Sequence, residues 1–165
     1  MDAKPTSINQ ILYLPETYVI PVFQRYYEWQ DDQWEQLWFD ISSMLENRAE
    51  TLSHFIGPFV FISHSSPSST LHLIIDGQQR LITISLIFAA LRDLAIQNEF
   101  SSLSELLNQY LFSKDADGSQ QMKLITRVLD RDTFKNILQG DYSRIDKASK
   151  IYKSYNFFKS KIEKQ

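Results

Sequence analysis

Two short runs in this sequence set a glutamine and an arginine beside groups that could handle an anion. One is Asp76-Gly77-Gln78-Gln79-Arg80, between an apolar stretch and a helix-like one. The other is Pro21-Val22-Phe23-Gln24-Arg25-Tyr26-Tyr27-Glu28-Trp29, where Gln24 and Arg25 stand among aromatic residues. In the first run, a helix start leaves backbone N–H groups unpaired at a partly positive end. Gly77 lets a ligand approach the backbone closely. Arg80 offers a planar cation suited to phosphate oxygens. Gln78 and Gln79 both donate and accept, so they can orient a ligand or a water. Asp76 can cap the helix, hold a metal through a water, or act as a base. In the second run, Arg25 can bind phosphate while a ring stacks on a base. Each run also has a plain structural reading. The first could be an Asp-Gly turn with a surface arginine. The second could be a loop whose rings fill the core while Gln24 and Arg25 satisfy backbone groups. Two Gln-Arg elements in one small chain make a shared site the reading to pursue.

Other chemistries find little support. There are no cysteines, so disulfides, thiolate metal sites and cysteine nucleophiles are excluded within the chain. His54, His64 and His72 lack helical metal spacing and join no carboxylate cluster, although His54 could line a pocket near Gly57. No phosphate-binding loop of the G-x-x-x-x-G-K-[ST] type and no G-x-S-x-G elbow occurs. A run of histidines and asparagines resembling an HNH nuclease site is also missing.

The elements that must position the two runs follow from periodicity. Ser7 can cap a short helix through Tyr13, and Tyr18-Val19-Ile20 reads as a strand stopped by Pro21. Asp31 or Asp32 can start a helix in which Trp34, Leu37, Trp38, Ile41, Met44 and Leu45 recur at helical spacing. Phe55 to Ile62 and Leu71 to Ile75 read as strands of a hairpin joined by a Ser/Pro-rich turn from His64 to Thr70. The helix after Arg80 carries Leu81, Ile84, Phe88, Leu91 and Ala95 in one stripe, with Ile87 and Leu94 beside it. Leu103 to Phe112 is a further helix, Lys114 to Gly118 a polar turn, and Lys123 to Val128 a strand. Asp130 starts a helix to Leu138 that Gly140 ends. Arg144 to Lys164 reads as a long amphipathic helix with Ile145, Ala148, Ile151, Tyr152, Tyr155, Phe158 and Ile162 on its apolar side. Its seven basic residues against two acidic ones suggest a solvated face, with contact to nucleic acid or an acidic partner as the alternative. The pattern is still running where the sequence stops, which suggests a longer protein.

The 165 residues, 43% hydrophobic and 13% aromatic, suit one folded α+β domain, a small mixed sheet with a hairpin surrounded by helices. A net charge of −3 gives no general attraction to nucleic acid, so any such role needs a local patch or another domain. The first residues lack the apolar core of a signal peptide, and no apolar run approaches the roughly 18 residues of a membrane span. A cytoplasmic, membrane-free setting is expected.

The order of the motifs carries a resemblance. Ile20 to Trp29 is followed by a helix ending near Asp40-Ile41, then by His54-Phe55-Ile56-Gly57-Pro58-Phe59-Val60 and by Ile74-Ile75-Asp76-Gly77-Gln78-Gln79-Arg80-Leu81-Ile82-Thr83. This resembles the N-terminal domain of GmrSD-type, modification-dependent restriction proteins, a domain similar to the ParB/sulfiredoxin fold. The clear motifs cover residues 20–90, and Leu124-Ile125 and Tyr152 to Phe158 match more loosely. The resemblance implies a domain of an anti-phage defence protein that binds and hydrolyses nucleoside triphosphates, with Mg²⁺ and a preference for GTP or broad specificity. It implies a nuclease, and contact with DNA, in a C-terminal region outside this sequence, while self-association stays open. By carry-over, Asp76, Gln78 and Arg80 would be catalytic, and Asp76 would hold the metal. Gln24, Arg25, Gly77, Gln79, His54 and Gly57 would bind the nucleotide. Pro58 stands where the family more often has a small polar residue, and it offers no N–H there. Two other readings remain open: a sensor that binds nucleotide or modified DNA without turnover, and a toxin-like or structural interaction domain in which the DGQQR run braces the hairpin–helix joint.

Overall fold

The computed structural model describes residues 6–46, 55–65, 70–114 and 117–165. Helix α1, Ile8–Tyr13, is closed at its start by a reciprocal pair: Ser7 Oγ accepts from the Gln10 N–H, and Gln10 Oε1 accepts from the Ser7 N–H. Strand β1, Thr17–Val19, leads into the aromatic loop, and α2 spans Asp31–Glu46 with two aspartates in its first turn. Strands β2, Val60–Ser65, and β3, Thr70–Asp76, pair antiparallel, as the hairpin reading expected. Strand β3 also pairs parallel with β1, which pairs parallel with β6, Leu124–Ile125. The sheet order is β2-β3-β1-β6. The fold is mixed α+β.

Helix α3, Gln78–Gln97, is the central element. The sequence suggested one apolar stripe, but α3 is buried on several sides, with Leu81, Ile82, Leu86, Ala89 and Ala90 all inaccessible. It packs against α4, Ser101–Leu111, α5, Val128–Gln139, and α6, Lys150–Glu163. Phe134, Phe158 and Tyr155 complete the core on that side.

Several boundaries differ from expectation for local reasons. The strand expected from Phe55 begins only at Val60, because Gly57 takes a φ of 96° and Pro58 cannot donate to a ladder. The hairpin strands run to Ser65 and from Thr70, so part of the expected turn is extended. The Lys123–Val128 strand shrinks to β6, and Val128 already opens α5. The last helix starts at Lys150 rather than Arg144. Ser149 caps it by accepting from the Tyr152 N–H, and Asp146 accepts from the Ala148 N–H in a turn before it. Residues Tyr142–Arg144 form a short 3₁₀ turn instead. A second small hairpin, β4 (Phe112–Lys114) with β5 (Gln120–Met122), has no counterpart in the sequence reading. No helix among the described residues is long and apolar enough to cross a membrane.

Two buried cations serve the fold. Lys123 Nζ donates to the carbonyls of Leu12, Tyr13 and Gln109, tying the C-terminal ends of α1 and α4. Arg92 donates to the carbonyls of Ile137 and Leu138 at the end of α5 and pairs with Asp93. Both supply donors where helix carbonyls run out of partners.

Candidate functional site

The sheet and α3 meet at Gly77. This residue occupies the N-cap position of α3 with a φ of 93°, and no side chain caps the helix. A Cβ there would lie 2.5 Å from the Phe59 ring, so both conformation and space call for glycine. Asp76, which could have capped the helix, instead approaches Arg80 at 3.5 Å. The first intrahelical bond joins the Leu81 N–H to the Gly77 carbonyl. The amides of Gln78, Gln79 and Arg80 are therefore the unpaired donors of a 20-residue helix.

A cavity of about 160 Å³ is lined by Gln24, Arg25 and Trp29 together with Asp76 to Arg80. The fold thus brings the two Gln-Arg runs around one space. Their side chains divide into two kinds. Gln79 is buried and locks the loop: its Nε2 donates to the Tyr26 carbonyl at 2.9 Å, and its Oε1 accepts from the Glu28 N–H at 2.7 Å. Gln24 Nε2 likewise donates to the Ile75 carbonyl at 2.9 Å. Gln79 is thus committed to backbone at both ends and Gln24 through its Nε2. Gln78 is committed on one side only. Its Nε2 reaches the Arg25 carbonyl at 3.2 Å, while its Oε1 is buried with no partner among the described residues. A buried acceptor left open costs roughly 1–3 kcal/mol unless something donates to it.

The arginines divide in the same way. Arg80 Nη1 donates to the Ile56 carbonyl at 2.8 Å, and the guanidinium lies 5.1 Å from the Phe59 ring centre. Gly57 makes this possible, since a Cβ there would stand 1.9 Å from Arg80 Nη1. Gly57 therefore sets the arginine's seat rather than lining the cavity. Arg25 is exposed, and its guanidinium has no partner among the described residues. His54 lies outside the described residues. Asp76 is a single exposed carboxylate, and the described residues contain no group of three histidines or acidic side chains placed to hold a metal.

Two residues at the start of α5 hold the loop from behind: Arg127, its N-cap, and Asp130, which lies in its first turn rather than starting the helix as the sequence suggested. Arg127 donates to the Gln24 carbonyl and stacks 3.9 Å from the Tyr26 ring centre. The Asp130 carboxylate accepts from the Tyr27 N–H at 2.9 Å, and burial raises its pKa despite that bond. Tyr27 sinks its hydroxyl into a buried cluster with Thr83, Ser154 and the Trp34 indole. Burial is the largest influence on that hydroxyl and raises its pKa. Lysines of α6 pair with acids of neighbouring elements, Lys150 with Glu28 and Lys161 with Glu35, which is how a solvated face behaves.

A second, larger cavity of about 420 Å³ adjoins the first, and Trp29 and Arg80 belong to the walls of both.

Residues 8–165 match the family described as GmrSD restriction endonuclease, N-terminal domain. No curated protein matches the chain.

Proposed function

The chain belongs to the family of N-terminal domains of GmrSD restriction endonucleases, and from that premise we propose that it binds and hydrolyses a nucleoside triphosphate to gate a nuclease carried elsewhere in the full protein. One observation carries the reading. An uncapped helix start, an unpartnered arginine and a seated arginine converge on one small cavity with an open buried acceptor in its wall. Donors and positive charge from two separate elements, the start of α3 and the aromatic loop, suit a polyanion. The family's description as part of a restriction endonuclease supports a defence role, with DNA contact made by another region. The ParB/sulfiredoxin kinship belongs to the same proposal.

The residues take the following roles. The amides of Gln78 to Arg80 and the guanidiniums of Arg25 and Arg80 receive phosphate oxygens. Positioning and charge stabilisation are most of what phosphoryl transfer asks of a protein. Gln78 Oε1 accepts a hydrogen bond from the attacking water and so orients it. Asp76 is the carboxylate at hand for Mg²⁺, which when bound neutralises charge on the phosphates. Gln79 and Gln24 act by holding the loop, and Gly57 by seating Arg80.

The test is direct. Phosphate release and binding are measured with GTP, ATP and CTP plus Mg²⁺, for the wild type and for Arg25→Ala, Arg80→Ala and Asp76→Ala. A charge-assisted hydrogen bond is worth about 1.5–3 kcal/mol, so each arginine variant should bind about 10- to 100-fold more weakly. Folded wild-type protein that binds no nucleotide, or binding indifferent to both arginines, refutes the proposal. Binding without turnover would favour a sensor.

A further inference from the structure

Away from the cavity, three side chains line up across the sheet. Ser63 of β2 and His72 of β3 stand directly opposite in the antiparallel pairing, which puts their side chains on one face. Ser63 Oγ lies 2.8 Å from His72 Nδ1. The other ring nitrogen, His72 Nε2, lies 2.8 Å from Glu16 Oε2, just before β1. An ionised carboxylate only accepts hydrogen bonds, so Nε2 carries the proton of the neutral ring and Nδ1 is bare. The serine hydroxyl therefore donates to Nδ1. A hydroxyl aimed at a base that a third group orients is the arrangement that activates a serine nucleophile. The ring meets the serine with Nδ1 rather than with Nε2 as in the best-known serine hydrolases, but either nitrogen can take the proton.

The base and its partner are held and shielded, and the nucleophile is open. His72 stacks on Tyr18 with ring centres 4.8 Å apart, and the Phe61 ring lies 5.8 Å away on a tilt. The Tyr18 hydroxyl also reaches Glu16 Oε2, at 3.4 Å. The side chains of His72 and Glu16 are 12% and 26% exposed, whereas Ser63 is exposed. A polar pair that served only the sheet would need neither the carboxylate nor this shielding. Among the described residues β2 is the edge of its sheet, so alternate N–H groups along it have no strand partner. They are the donors at hand for the negative charge that develops on an attacked carbonyl.

We propose that Ser63, His72 and Glu16 form a reactive site, separate from the cavity, that cleaves a carboxylic ester with a good leaving group through an acyl-serine. Ser63 Oγ attacks the carbonyl carbon and gives its proton to His72 Nδ1, and Glu16 stabilises the imidazolium. The bond from that carbon to the ester oxygen breaks, and the departing alcohol takes the proton. Water then attacks the acyl-serine, His72 passes a proton from the water to Ser63 Oγ, and the acid leaves. Ser63 and His72 are the catalytic residues, and Glu16 is a positioning residue. His72 stands four residues before Asp76 on β3, about 13 Å along an extended strand, so the two sites share a hairpin but no side chain. The inference does not depend on the nucleotide reading.

The test uses this chain with two probes, p-nitrophenyl acetate and a fluorophosphonate that phosphonylates activated serines. We expect release of p-nitrophenol with an initial burst, and a phosphonyl group on Ser63 by peptide mass spectrometry. Ser63→Ala, at an exposed position, should lose both. Base catalysis contributes about 10²- to 10⁴-fold, so His72→Gln should slow labelling about 100-fold or more. Thermal melts check that the variants fold. Glu16→Gln should slow labelling about tenfold or more. Nitrogen NMR at about pH 8 should show the His72 ring protonated at Nε2 in the wild type and as a mixture of tautomers in Glu16→Gln. No adduct on Ser63 of the folded wild type, ester cleavage that survives Ser63→Ala, or labelling indifferent to His72→Gln overturns the inference. Labelling and tautomer both unchanged in Glu16→Gln overturn the part given to Glu16.

Discussion

Gln79 and Arg25 look alike in the sequence, as polar members of two anion-handling runs, yet the structure predicts opposite signatures when they are changed. Gln79 is 5% exposed and makes two bonds to the loop, to the Tyr26 carbonyl and from the Glu28 N–H. Gln79→Met keeps length and helix propensity but removes both. Each bond is worth about 0.5–1.5 kcal/mol net, and a partner left without water costs about 1–3. Since Tyr26 is only partly buried and Glu28 is exposed, water recovers some of this, and the sum is roughly 2–4 kcal/mol. For a chain of this size that lowers Tm by roughly 5–15 °C. Arg25→Ala removes an exposed side chain with no partner among the described residues, so Tm should stay within about 1–2 °C. Triphosphate affinity should drop about 10-fold or more in Arg25→Ala. In Gln79→Met it should weaken only as far as the loop loosens. Differential scanning fluorimetry, with and without nucleotide, reads both quantities. A Gln79→Met protein with unchanged Tm and abolished binding would show that Gln79 is a ligand residue and that the division into struts and ligand groups is wrong.

Three further outcomes follow from the same geometry. Gly57→Ala imposes a side chain at a φ of 96° and drives a methyl into Arg80 Nη1, so nucleotide titration should show a loss like that of Arg80→Ala, together with about 1–3 kcal/mol lost in a denaturant melt. Wild-type affinity in Gly57→Ala would show that the arginine needs no such seat. Tyr27→Phe strands the Trp34 indole N–H in the core and should cost about 1–3 kcal/mol by urea titration, with nothing lost if water replaces the hydroxyl. The pH dependence has two windows. Burial brings Lys123 down to about 8, so between there and its ordinary 10.5 the unfolded chain holds a proton that the folded one has released, and stability rises with pH. Burial pushes the hydroxyls of Tyr18, Tyr27, Tyr142 and Tyr155 up. Above about pH 10 the unfolded tyrosines ionise and the folded ones do not, so stability then falls, by at most about 1.4 kcal/mol per pH unit for each and less for the more exposed Tyr142. Tm against pH should therefore climb gently from pH 8 and turn down near 10. A tyrosinate absorbance rising near pH 10 in protein that stays folded would contradict the second window.

Much of the fold was legible because its signals are local. Ser7 with Gln10, the paired hairpin strands, and Gly140 closing α5 at a φ of 72° each need only a few neighbouring residues. Misreadings arose where a local signal was hidden or a distant partner decided. The capping turn from Asp146 to Ser149 looks helical by spacing, because Ile145, Ala148 and Tyr152 keep the period while the backbone does not. The strand at Phe55 fails because Gly57 must yield to Arg80, 23 positions later in the chain. In the site, residue types were readable and allegiances were not. Whether a glutamine serves the backbone or a ligand depends on which carbonyl lies 3 Å away, and for Gln24 and Gln79 that carbonyl comes from the opposite run. The parts that Arg127 and Asp130 play were hidden for the same reason, since each acts on a loop about 100 positions earlier in the sequence.

The way the loop is held bears on how a ligand could be felt at a distance. Arg25 stands between two fixed points, the Gln24 carbonyl tied to Arg127 and the Tyr26 carbonyl tied to Gln79. Its own carbonyl is tied to Gln78. Its backbone cannot shift alone, so an anion that draws its guanidinium inward must either reorient the side chain or load those bonds. Load on Gln79 falls on α3, whose Thr83 bonds both the Gln79 carbonyl and the Tyr27 hydroxyl. Tyr27 in turn bonds Ser154 of α6, and Glu28, next in the chain, pairs with Lys150 at the start of that helix. Arg25 is thus joined to α6 through side chains that are mostly buried and hydrogen-bonded at both ends. Breaking one of its buried links costs a hydrogen bond in the interior, so such a network resists piecemeal movement. If the domain gates a nuclease, α6 is the element through which nucleotide state reaches the rest of the protein, and its solvated lysines are incidental to that role.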